Sequence, residues 1–215
     1  MNNISSLAFK YRSYTPIPFL TLMLIFQQST PITLIIGFII ALIGELIRFW
    51  GVSWAGSETR TTGGVGGTFL IISGPFAYVR NPLYVGNILI YLGLGIMSFA
   101  LFPYLQIVAI LFFLLQYYFI VWEEEKYLVE RFKDEYKEYC KHVPAFFPRL
   151  FPYKNTSIRQ PPYNPKAGLK SERRSLQAFL GISLLLIILW LIRNWLCLQQ
   201  QKINWWSLRE KFLVI

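Results

Sequence analysis

A short run of this sequence, Tyr78, Arg80, Asn81, Tyr84 and Gly86, gathers residue types that bind small polar molecules. An arginine pairs with a carboxylate through two parallel hydrogen bonds, and an asparagine both donates and accepts. Tyrosine ring faces pack against cations. Gly74 and Gly86 let a backbone or ligand approach closely. After an uncharged stretch from Asn81 to Trp122 comes the acidic run Glu123-Glu124-Glu125. Leu128, Phe132, Tyr136 and Tyr139 follow at spacings of four, four and three, which makes one apolar helical stripe. Projected backward, Glu124 and Glu125 head that stripe, whereas Glu123 points aside. A carboxylate at the head of a buried stripe requires a partner, so these two are candidates for function. Each residue also has a plainer use. Arg80 can snorkel from a membrane segment, and Asn81 can cap the helix that Pro82 begins. Tyr78 and Tyr84 can belong to an interfacial aromatic belt. The two glutamates can form salt bridges with Arg80, Lys126 or Lys133.

These residues are separated by segments suited to lipid. Of the 215 residues, 54% are hydrophobic and only 15% charged, against about a quarter charged in soluble domains. Ser13–Gly44, Asn81–Trp122 and Ser175–Ile192 carry no charge at all. A spanning helix takes roughly 20 apolar residues, so the sequence predicts an all-α, polytopic membrane bundle of about five transmembrane helices. Their expected extents are Thr15–Gln28 (short, beginning among Pro16 and Pro18), Pro31–Trp54, Pro82–Phe102, Pro103–Trp122 and about Leu176–Leu198. The helix after Trp122 is expected to be amphipathic and to lie at the cytoplasmic face. Four regions follow: an N-terminal hairpin (1–60), a core carrying the motifs (61–153), a Pro-rich basic linker (154–174) and a C-terminal membrane helix with its tail (175–215).

The connections Ala55–Asn81 and Glu123–Arg174 have the same parity across the hairpin between them, so they share one face. Their basic excess, with Lys10 and Arg12, assigns that face to the cytoplasm. Lys10 and Arg12 precede the first apolar run with no small-residue cleavage site after it, which predicts a retained segment. The net charge of +10 is explained by juxtamembrane topology and anionic lipid headgroups, not by nucleic acid. Cys140 and Cys197 are far apart and His142 is the single histidine, so no His/Cys metal site can be built. The Gly63–Gly67 cluster fits neither dinucleotide nor P-loop spacing and reads as linker.

The run Ser73-Gly74-Pro75-Phe76-Ala77-Tyr78-Val79-Arg80-Asn81-Pro82-Leu83-Tyr84-Val85-Gly86 is one half of a pattern. Glu123-Glu124-Glu125-Lys126-Tyr127-Leu128, continuing through Tyr136, Tyr139, Val143-Pro144 and Pro148, is the other. Together, over about residues 66–150, they resemble the isoprenylcysteine carboxyl methyltransferase and phospholipid N-methyltransferase superfamily. Asn81 stands where the isoprenylcysteine branch has histidine, and Thr68 where another histidine is expected. The Asn-Pro-x-Tyr-x-Gly step is closer to the phospholipid branch, and the Tyr-rich ending to the isoprenylcysteine branch.

The resemblance implies an S-adenosylmethionine-dependent methyltransferase acting at the cytoplasmic membrane surface. Its acceptor would be lipid-like, either a prenylated carboxylate or a phospholipid amine. The implied cofactor site uses Tyr78, Arg80, Asn81, Tyr84, Gly86, Glu124 and Glu125, with Glu124 and Asn81 as catalytic candidates and no metal. The rival readings are an NADPH-dependent membrane reductase of the sterol-reductase type and a non-catalytic membrane scaffold.

Overall fold

A computed structural model describes Leu7, Phe9, residues 11–56 and residues 69–213, with 201–213 as backbone only. Lys10, the Gly63–Gly67 cluster and Thr68 lie outside the described residues. The described chain folds into five α-helices and one 3-10 turn, with no strand. They are α1 (Pro16–Ile25), α2 (Pro31–Ala55), the turn Gly74–Ala77, α3 (Pro82–Ser98), α4 (Tyr104–His142) and α5 (Pro165–Leu213). Four of the five helices begin with proline and α4 directly after one, where its missing N–H costs nothing. At α2, Thr30 also accepts from the Thr33 N–H and the Thr33 side chain reaches back, a reciprocal cap.

Three helices are long and apolar enough to cross a membrane: α2, α4 and Pro165–Gln200 of α5. The other two are shorter apolar helices, ten residues in α1 and 17 in α3. At 1.5 Å per residue, α1 is about 15 Å long, half the hydrocarbon thickness. The bundle turns its apolar side chains outward. Ile32, Ile35 and Ile39 on α2, Leu111 on α4, and Leu184 and Leu191 on α5 are all at least half exposed. A surface of this kind belongs in lipid. The chain is a membrane protein.

α2 and α3 lie backbone to backbone. A Cβ added at Gly37 would strike the Gly93 carbonyl, and one at Gly93 would strike the Ala41 backbone. Lipid provides no hydrophobic force between helices, so this close approach of small residues provides the packing. Met23, Ala41, Ile90, Leu94, Met97 and Phe179 close the core between α1, α2, α3 and α5.

Two sequence expectations change here. The linker assigned to 154–174 is extended only to Asn164, and α5 starts eleven residues before Leu176. Asn164 Oδ1 accepts the Ala167 N–H (3.0 Å) and Pro165 takes the first helical position. That start is anchored where the Asn164 N–H reaches the Ser53 carbonyl at 2.8 Å. Gly168 then packs on Ser53 so tightly that a Cβ would overlap its hydroxyl. The second change is a break in the helix after Trp122, whose stripe is buried as its spacing predicts. That stripe is covered by protein, because Tyr136, Tyr139 and Val143 pack on Leu70, Ile72 and Ile158, with Leu128 and Phe132 beside them. α4 breaks at Lys133 (φ 46°, ψ −116°), a left-handed backbone that non-glycine residues adopt rarely.

The two polar connections share one face, as the parity argument expects. Backbone bonds join them directly: Arg80 N–H to the Pro144 carbonyl (2.9 Å), Arg149 N–H to Tyr78 (3.0 Å) and Tyr153 N–H to Ala77 (2.9 Å).

Candidate active site

Between α2, α3, α4, α5 and the 3-10 turn lies a cavity of about 690 Å³, within the range of small-molecule sites. α3 builds one wall, because Tyr84, Asn87 and Tyr91 fall at i, i+3 and i+7 on a single face and all line it. Glu124 enters from α4. The Tyr84 hydroxyl donates to Glu124 Oε1 at 2.7 Å, and the Tyr84 ring lies 4.7 Å from that of Tyr117. Arg80 and Asn81 line the cavity from just before α3.

Arg80 is heavily committed. Its Nε donates to Glu125 Oε1 at 3.0 Å and its Nη2 stands 2.9 Å from the same oxygen. Nη1 donates to the carbonyls of Val143 (2.8 Å) and Cys140 (3.3 Å). A cation on the last carbonyls of α4 satisfies groups that a helix end otherwise leaves open. Burial alone would lower the Arg80 pKa; Glu125, together with Cys140 and Tyr136, more than offsets this, so the net direction is upward and the guanidinium keeps its charge.

Asn81 stands at the N-cap position of α3 without capping it. Its Nδ2 instead donates to the Ala145 carbonyl at 3.2 Å. That geometry separates two substitutions that a capping role would rank differently. Asn81→Asp removes the donor and should destabilise the protein as much as Asn81→Ala, by about 0.5–1.5 kcal/mol. Thermal unfolding of the two purified variants measures this. A parent-like Asp variant would restore the capping role.

The cavity therefore gathers four of the seven residues singled out in the sequence: Arg80, Asn81, Tyr84 and Glu124. Glu125 is one bond away, held by Arg80. Tyr78 lines a different pocket. Gly86 faces α2, where an added Cβ would lie 2.7 Å from the Gly44 carbonyl and close to the Arg48 stem. Gly86→Ala should accordingly cost about 1–3 kcal/mol by overpacking, read as a lowered melting temperature. An unchanged melting temperature would remove this packing role.

A second polar group in the cavity has no counterpart in the sequence motifs. Arg48 Nη2 donates to Glu172 at 2.7 and 3.0 Å and Nε at 3.2 Å, while Nη1 bonds Asn87. Glu45 lies alongside, 4% exposed, with Oε2 accepting from the Ser175 hydroxyl at 3.1 Å and Oε1 without a hydrogen-bond partner among the described residues. The signal for Asn87 and Tyr91 was their helical spacing from Tyr84. For Arg48 it was a charge inside an apolar helix. Among the described residues no group of three or more His, Cys, Asp or Glu is placed to hold a metal ion.

Comparison with known proteins bears on the same stretch. Residues 32–135 match the phospholipid methyltransferase family. That family lies within the superfamily that the motifs resemble. The matched stretch runs from the second residue of α2 to just past the break at Lys133, and holds every site residue expected from the motifs. Two curated relatives are similar over parts of their length. The cobalt-zinc-cadmium resistance protein CzcN of Cupriavidus metallidurans is 34% identical over 60% of this chain and 55% of that protein. The nickel-cobalt-cadmium resistance protein NccN of Alcaligenes xylosoxydans xylosoxydans is 36% identical over 42% of this chain and 41% of its own. The chain thus spans about half the length of these relatives. No solved structure matches.

Proposed function

We propose that this chain is an integral membrane methyltransferase that uses S-adenosylmethionine to methylate a lipid-like acceptor, either a prenylated carboxylate or a phospholipid amine. The observation that carries this reading is the convergence of Arg80, Asn81, Tyr84 and Glu124, from two distant motifs of a methyltransferase family, on one cavity of about 690 Å³. The donor set suits the cofactor. Glu124 can accept from an ammonium or ribose hydroxyls beyond its bond from Tyr84, and Asn81 retains an amide oxygen. Because Arg80 is bound to Glu125, a cofactor carboxylate would share that guanidinium or use Arg12 or Arg174, which also line the cavity.

When bound, S-adenosylmethionine supplies an electrophilic methyl group for in-line displacement. The protein's part is alignment and exclusion of water. Tyr84 orients the Glu124 carboxylate by donating to it, and Glu124 can take the proton that an amine acceptor loses. Arg80 ties the start of α3 both to Glu125 in α4 and to the carbonyls at the end of that helix, which fixes the distance between the two motifs. Leu94, Phe179 and Ile182 line the cavity with apolar surface, suited to the tail of an amphiphile. The basic excess of the shared polar face supports a cytoplasmic opening.

Mass spectrometry of membrane lipids after incubation with methyl-labelled cofactor tests the proposal. Labelled lipid is the expected result. Lipid reduced in the presence of NADPH, with no label transferred, would favour the reductase, and no change under either condition a scaffold. The relatives' names favour a compatible second reading, that the methylation serves cobalt, zinc, cadmium or nickel tolerance. Cells carrying Glu124→Ala should then lose tolerance together with lipid labelling; tolerance without labelling would contradict it.

A further inference from the structure

A second pocket, of about 450 Å³, shares no lining residue with the first. Trp50, Trp54, Tyr78 and Tyr153 supply aromatic surface, and among the described residues Lys154 is the single charged one in its lining. The Trp50 and Tyr78 rings are 6.1 Å apart and tilted by 51°, so their faces do not cover each other. Trp54 reaches its place because Gly74, at φ +63°, has no side chain: a Cβ there would collide with the indole ring. Aromatic faces attract cations, most usefully a quaternary ammonium. Among the described residues no carboxylate lines the pocket, and Lys154 disfavours a lone cation. The chemistry fits a ligand that brings its own anion.

The surroundings indicate where that ligand comes from. The loop after α4 is bonded to residues 77–80, so it lies against the start of α3. Phe146 packs on the Ala109, Phe113, Tyr117 and Ile120 cluster of α4, at the level of the membrane helices. The neighbouring Phe147, Leu150 and Phe151 are 84%, 89% and 74% exposed, close in sequence to Arg149, Lys154 and Arg159. Exposed apolar side chains beside basic ones mark a segment seated in the headgroup boundary. We propose that this aromatic pocket binds the headgroup of a zwitterionic phospholipid, its trimethylammonium against the aromatic rings and its phosphate at Lys154. The site is separate from the cofactor cavity and does not depend on its assignment.

Calorimetric titration of the full chain in detergent, with short-chain phosphatidylcholine below its micelle concentration, tests this. Binding should be about tenfold tighter than for phosphatidylglycerol of the same chain length. Trp50→Leu should weaken it about tenfold, while Trp50→Phe, which keeps an aromatic face, stays within about threefold. Lys154→Ala, on an exposed loop, should weaken it several-fold and serves if the Trp50 variants fail to fold. No binding, or phosphatidylglycerol binding as tightly, would overturn the proposal. So would free phosphocholine matching the lipid, a folded Trp50→Leu with parent affinity, or an unaffected Lys154→Ala.

Discussion

Replacing Arg48 with alanine should destabilise the protein by about 3–5 kcal/mol, because it strips the guanidinium from an almost fully buried carboxylate. The Glu172 side chain is 3% exposed and that of Arg48 14%, so solvent screens the pair little. The pair also joins α2 to α5 across the cavity, and Asn87 of α3 bonds the same guanidinium. For a chain of this size the loss corresponds to a melting temperature lower by roughly 6–20 °C. Glu172→Ala should do similar damage. The double replacement Arg48→Met with Glu172→Leu should cost less than either alanine variant, since it buries no unmatched charge. Thermal unfolding of the four proteins in one detergent measures this. Additive losses would show that the two residues act independently.

That pair also marks the limit of what the sequence discloses. Arg48 and Glu172 are 124 positions apart, and no local pattern relates them; their meeting depends on how α5 lies against α2. The motif residues were legible because their spacing is local. Tyr84 and Glu124 lie at facing positions of a helical hairpin whose two arms are written as uncharged segments. The start of α5 was also written, in Asn164-Pro165, but the prolines before it read as linker. Residues following one another at spacings of four, four and three predicted the stripe from Leu128 to Tyr139. They could not disclose the break at Lys133, because both sides of it still reach one cluster. Tyr78 and Gly86 were grouped with the site by motif proximity. One lines a separate pocket and the other touches α2, since neighbours in sequence leave a turn and a helix in different directions.

The two glutamates that sequence reasoning treated alike should now behave differently. Glu124 lines the cavity, whereas Glu125 is occupied by Arg80. Glu124→Ala should lower affinity for S-adenosylhomocysteine by about ten- to hundredfold, the value of a hydrogen bond to a charged group. Its stability cost should be small, about 1–2 kcal/mol, as the Tyr84 hydroxyl loses its acceptor. Glu125→Ala should act mainly on the melting temperature, by freeing Arg80 and loosening the end of α4 that it holds. Equal effects of both variants on affinity, with none on stability, would return Glu125 to the cavity.

Calorimetry of the purified chain with S-adenosylhomocysteine and, separately, with NADPH tests the methyltransferase assignment most directly. The expected result is saturable binding of S-adenosylhomocysteine, weakened in Glu124→Ala, and no binding of NADPH. Binding of NADPH alone, or S-adenosylhomocysteine affinity unchanged by Glu124→Ala, would contradict it.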